Sequence, residues 1–145
     1  RSVIVFAKFI VTACWSVGLA FIVALAGFAI GTAIDLPPTS APVMLQGTLT
    51  LMITSLLSLF LITPIAFFAS AGHGYLPPIA VMMLTMILAQ LVAVAGWGEY
   101  FPWAIPGLYA QGELLSSTSY IILILACLAG LAGTLVWWAR ADQTH

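Results

Sequence analysis

Charge is scarce in this sequence of 145 residues: three basic and four acidic side chains, 5% of the whole. A soluble domain carries about 25%, so a water-bathed globular surface is excluded. A formal net charge of −1 also excludes the basic face that nucleic acid needs. Cysteine occurs twice, at Cys14 and Cys127, with no C-x-x-C spacing. Both read as small, buried, apolar side chains and say nothing of redox compartment. Histidine occurs only at His73 and His145. Neither lies inside an apolar run, so paired haem ligation is not expected, and a lone His73 reads as a loop residue, not a metal ligand. There is no phosphate-binding loop ending in Lys-Ser or Lys-Thr, no H-E-x-x-H and no placeable Ser/His/Asp set. No catalytic residue, cofactor or metal is therefore expected, and the chain is not read as an enzyme.

Apolar length is abundant: 63% of the residues are hydrophobic. Four uncharged stretches run over about Phe9–Ile34, Val43–Ser70 (helical by Gln46), Leu76–Ala95 and Ser119–Ala139. About 20 apolar helical residues cross a hydrocarbon core, and each stretch is long enough. The expected fold is all-α: one polytopic membrane domain, residues 1–145, with four spans. Proline marks the joints. Three prolines fall within Leu36–Pro42, which reads as a loop. Pro64 should kink the second span, and Ala71–Tyr75 is a glycine-flanked turn before Pro77-Pro78 restarts a helix.

Arg1, Lys8, His73 and Arg140 fall on one side of a four-span chain, while Asp35, Glu99 and Glu113 fall on the other. The positive-inside bias then puts both ends in the cytoplasm. Trp97, Trp103, Trp137 and Trp138 sit near the expected interfaces. No ionisable residue lies deep in a span, which argues against a proton-coupled pump or voltage sensor in these spans. Gln90 is the bulkiest polar group within one; it bonds a neighbouring helix or faces a polar path. Thr50, Thr54, Ser55 and Ser58 bond their own backbone as readily as they line anything. Gly27 and Gly31, with Ala126, Ala129, Gly130 and Gly133, read as packing surfaces, within the chain or in a dimer.

The run Gly96-Trp97-Gly98-Glu99-Tyr100-Phe101-Pro102-Trp103-Ala104-Ile105-Pro106-Gly107-Leu108-Tyr109-Ala110-Gln111-Gly112 is too apolar for a solvated loop and too broken for a span. Pro102 opens a short helix and Pro106-Gly107 interrupts it. Irregular backbone at membrane depth needs protein or a water-filled cavity around it. The segment is therefore expected to be re-entrant or interfacial and to pack back on the bundle before the last span. Glu99 and Glu113 flank it, and no helical spacing forces them together.

Two motifs carry a family resemblance. Ala69-Ser70-Ala71-Gly72-His73-Gly74-Tyr75-Leu76-Pro77-Pro78, then one span, then Gly98-Glu99-Tyr100-Phe101-Pro102-Trp103-Ala104-Ile105-Pro106-Gly107 resembles the permease subunit of type-2 ABC transporters. The group most resembled is the bacitracin-export-like permeases. Such permeases usually have six spans, so the resemblance implies the last four, in keeping with a start at Arg1. It implies a bacterial plasma membrane protein, a separate ATPase chain, a second permease copy and export of a hydrophobic or amphipathic compound, such as a peptide antibiotic. It places the segment Glu99–Gln111 on the outer face and a cytoplasmic ATPase contact at Gly72, His73, Gly74 and Tyr75; the segment's broken, aromatic character makes Glu99, Tyr100, Phe101, Pro102, Trp103, Pro106 and Gly107 the expected outer gate, the alternative being an aromatic interface anchor with no gating role. Gln90 is the polar candidate for the pathway. The family often has arginine where this chain has His73, a departure that weakens a fixed charge contact there. The competing reading is a four-span anchor or small channel without an ATPase.

Overall fold

The computed structural model describes residues 2–34, 40–72 and 74–140. Its elements are α1 (Ser2–Ala33), α2 (Ala41–Ala71), α3 (Leu76–Val94), a 3-10 turn (Gly98–Tyr100), α4 (Ile105–Ala110) and α5 (Ser117–Arg140), with no strand among the described residues. Helices α1, α2, α3 and α5 are long and apolar enough to cross a membrane. The expected all-α, four-span bundle is therefore the fold, and its broken segment lies before α5. Asp35 and most of the Pro-rich loop lie outside the described residues, as does His73.

The helices start where proline permits. Pro42 sits in the first turn of α2, and Pro77-Pro78 in that of α3. A first-turn residue has no intrahelical use for its N–H, so proline costs nothing there. Pro64 is different. It lies inside α2, and the helix continues through it. Its missing N–H leaves the carbonyl of Phe60 without its helical partner. Thr63 supplies one: its Oγ1 lies 3.0 Å from that carbonyl oxygen and 2.9 Å from the carbonyl of Cys127 on α5. A single hydroxyl proton thus serves both the gap made by Pro64 and the joint between two helices.

That joint is the centre of the bundle. Thr63 meets Cys127 and Ser70 meets Trp138, at chain separations of 64 and 68. A near-constant separation means that α2 and α5 run in the same direction. Close approach requires glycine on α5. A Cβ at Gly130 would stand 2.7 Å from Pro64 Cα and nearer still to Pro64 N, and one at Gly133 would stand 3.0 Å from the Phe67 ring. Small residues let helix backbones meet in a membrane, where apolar burial alone gives little drive.

Helix α1 runs opposite to α2, with Lys8 over the Trp138 ring at 5.6 Å from its centroid. It is thinly covered, with Val5 and Ala20 its buried apolar residues. One expectation changes here. Cys127 is buried as expected, but Cys14 is exposed, because it lies on the side of α1 turned away from α2. Gly27 has nothing within 4 Å, which leaves it free for a contact outside this chain, while Gly130 and Gly133 of α5 are the glycines that meet α2.

Gly130→Ala should lower stability by about 1–3 kcal/mol through overpacking. Gly27→Ala should be neutral or stabilising by about 1 kcal/mol, since alanine favours helix. Thermal unfolding in detergent checks both; equal effects would show that the α2–α5 contact is not the tight one.

Candidate functional site

The broken segment after α3 is held by two helix stops of one design. At the end of α3, Trp97 N–H donates to the Val92 carbonyl and Gly96 N–H to that of Ala93, each at 3.0 Å. At the end of α4, Glu113 N–H donates to Leu108 at 3.1 Å and Gly112 N–H to Tyr109 at 3.0 Å. Both are six-to-one and five-to-two closures around a left-handed residue. Gly96 and Gly112 supply it, with φ of 80° and 83°, a region that suits glycine.

Between these stops the chain folds onto the bundle. Ile105 is fully buried, and Ala104, Pro106 and Leu108 are buried beside it. Ile105 joins Leu57 and Leu61 of α2 and Leu123 of α5 in one core cluster, flanked by Phe60, Trp103, Tyr109 and Leu115. Gly98 makes the return tight: a Cβ there would stand 2.8 Å from Leu108 Cδ1 and 3.2 Å from Ala93 Cα. Pro106 lies in the first turn of α4, as the first-turn rule requires. Pro102 precedes α4 and lies in the turn leading into it, so the helix opens three residues later than expected.

The segment's other face is open. Trp97 and Tyr100 are exposed, with ring centroids 6.2 Å apart. Phe101 and Trp103 pair at 5.6 Å and are half-buried. Glu99 is half-buried and Glu113 exposed. Trp103 Nε1 is buried without a hydrogen-bond partner among the described residues. So the residues singled out from the sequence divide into an apolar underside around Pro106 and Trp103 and an aromatic outer rim.

At the opposite end, Gly72 N–H caps α2 by donating to the Phe68 carbonyl at 2.9 Å. Gly74 has φ of 105°, and Tyr75 protrudes, 87% exposed. Gln90 stands one turn before the end of α3 on an exposed face, beside buried Ala89. It is thus near one end of the span and not at mid-depth. Among the described residues no three His, Cys, Asp or Glu side chains come together as metal ligands.

A second polar face had a weak sequence signal. Gln46, Thr50 and Thr54 repeat every four residues on α2 and line a groove of about 480 Å³ closed on one side by Ala110 of α4. Thr54 Oγ1 is buried and unpartnered among the described residues. The four-residue spacing was the available clue; Gln46 sits at a predicted helix start and did not stand out. Thr63 was also missed, although a Thr-Pro pair inside an apolar helix predicts a hydroxyl placed near the freed carbonyl.

The family described as ABC-2 family transporter protein matches residues 1–90, which take in α1, α2 and most of α3. The chain belongs to that family. Among curated proteins it is similar to the bacitracin transport permease protein BCRB of Bacillus licheniformis, at 27% identity over 107 residues, covering 71% of this chain and 51% of that protein. The chain thus spans about half the length of the curated relative it matches. No solved structure matches.

Replacing Gly98 by alanine should lift the segment from the bundle. Amide hydrogen exchange across residues 104–110 should speed up by about ten-fold, the effect of about 1.4 kcal/mol in local opening. Unchanged exchange would show that the segment does not depend on this contact.

Proposed function

We propose that the chain is the membrane part of an ATP-driven exporter permease, with ATP hydrolysed on a separate partner chain and a second permease copy completing the pathway. The compound moved is hydrophobic or amphipathic, in keeping with the bacitracin relative. Both chain ends and the Gly72–Tyr75 turn face the cytoplasm, in the plasma membrane of a bacterium. The broken segment is the outer gate.

The observation that carries the gate is Ile105, fully buried by a segment with no span of its own. Moving that side chain into water costs about 1.5–3 kcal/mol. That holds a gate shut at rest and is within reach of an ATP-driven partner. Helix α2 gives the mechanical link. One end enters the Gly72–Tyr75 turn, whose exposed Tyr75 offers a contact to the ATPase. Further along lie Leu57 and Leu61, on which Ile105 rests. Between them Pro64 interrupts the hydrogen-bond ladder, the usual place for a helix to bend. A push on the turn is therefore passed to the floor of the gate. The groove of Gln46, Thr50 and Thr54 opens beside α4 and offers hydrogen bonds to the polar half of a passing compound, a better placed path than exposed Gln90.

A tagged pull-down of the complete protein from detergent-solubilised membranes should bring down vanadate-sensitive ATP hydrolysis; none would overturn the exporter reading. In the same protein Ile105→Ala should weaken gate docking by about 2–5 kcal/mol. Transport-dependent resistance should then fall while the ATPase still co-purifies. Pro102→Ala with Pro106→Ala should act in the same direction. Unchanged resistance in both variants would remove the gate and leave the subunit assignment standing.

A further inference from the structure

Helices α1 and α5 both lie against α2, and near the end that carries Lys8 and Trp138 they leave a cleft of about 410 Å³ between them. Its apolar walls include Val5 and Phe9 of α1 and Ile62 and Ala66 of α2. Its polar atoms are mostly committed. Thr12 Oγ1 donates to the Lys8 carbonyl, Ser70 Oγ to Ala66 and Thr134 Oγ1 to Gly130, each at 2.8 Å. Trp138 Nε1 donates to Ser70 Oγ at 3.2 Å. Among the described residues the donors left to greet a ligand are those of the Lys8 ammonium, the one ionised group in the lining.

That inventory selects a ligand class. A sugar or a peptide needs several free donors and acceptors, and the cleft has its donors concentrated at one cation. An anion with an apolar tail needs just that. The shape agrees. Ile62 lies about 12 Å along α2 from Ser70, at the helical rise of about 1.5 Å per residue, so the cleft runs lengthwise from the bundle's end into its apolar depth. Lysine and tryptophan together at the end of a span mark the level of lipid headgroups.

We propose that this cleft holds one anionic phospholipid, its phosphate at Lys8 beside the Trp138 ring and one acyl chain along Phe9, Ile62 and Ala66. The lipid fills the gap that loosely covered α1 leaves against α5 and ties α1 to the central pair. Under the orientation proposed above it comes from the cytoplasmic leaflet; the binding itself does not rest on that orientation or on the exporter reading.

Native mass spectrometry of the complete, purified protein tests this, with phosphatidylglycerol and phosphatidylcholine as probes. The wild type should retain one phosphatidylglycerol and shed phosphatidylcholine. Lys8→Gln should weaken retention about five-fold, the effect of one lysine near an anionic headgroup. Ala66→Phe should displace the lipid with Lys8 intact, by filling the cleft. Arg140→Gln should retain it as the wild type does. Thermal unfolding with a wild-type midpoint shows that each variant is folded. Four results overturn the proposal: no phosphatidylglycerol on the wild type, as when another segment or copy covers the cleft; retention by Lys8→Gln equal to that of the wild type; retention by Ala66→Phe equal to that of the wild type; or an equal loss in Arg140→Gln, which would make the effect general surface charge.

Discussion

A missing N–H governs this bundle. Pro64 removes one donor from α2, and in a bilayer no water stands ready to replace it. The neighbouring Thr63 hydroxyl takes over the Phe60 carbonyl and reaches at the same time toward Cys127 on α5. Such a hydroxyl can serve another helix only if the two backbones nearly touch, and Gly130 makes that possible. Proline, threonine and glycine are thus three parts of one contact. It sets the height at which α2 and α5 meet, and so where Leu57, Leu61 and Leu123 converge to form a floor.

The broken segment depends on that floor. With 3-10 and α-helical pieces of three and six residues, it has too little backbone bonding to stand alone. Its order comes from Ile105 seated in the α2–α5 cluster and from the two glycine stops that reverse the chain on either side. Local sequence decides that the chain must break here. The packing beneath decides where the broken piece rests.

Much of this was legible beforehand. Four charge-poor stretches announce four helices, because length and apolarity are the conditions for spanning a bilayer. The Tyr-Phe-Pro-Trp-Ala-Ile-Pro run was recognisable as backbone that must dock, since unsatisfied amides are costly in lipid. Tertiary facts were less visible. Nothing in the composition says which small-residue stripe is used, and α5 uses its own while α1 leaves Gly27 without neighbours. Cys14 is exposed where burial was expected because an apolar helix reads alike all round, so periodicity does not reveal its inward face. Thr63 and Gln46 escaped notice because one hydroxyl or amide is a faint mark in an apolar helix until a second helix is placed against it.

The parallel course of α2 and α5 also has an electrical consequence. Each helix carries a macrodipole equal to about half an elementary charge at each end. An antiparallel pair would cancel; this pair adds. Its negative ends lie together beside Lys8 and Arg140, while the positive start of α5 follows closely on Glu113. Few as they are, these charged side chains sit where the backbone field favours them. The two mouths of the central pair are therefore opposite poles before any ligand arrives.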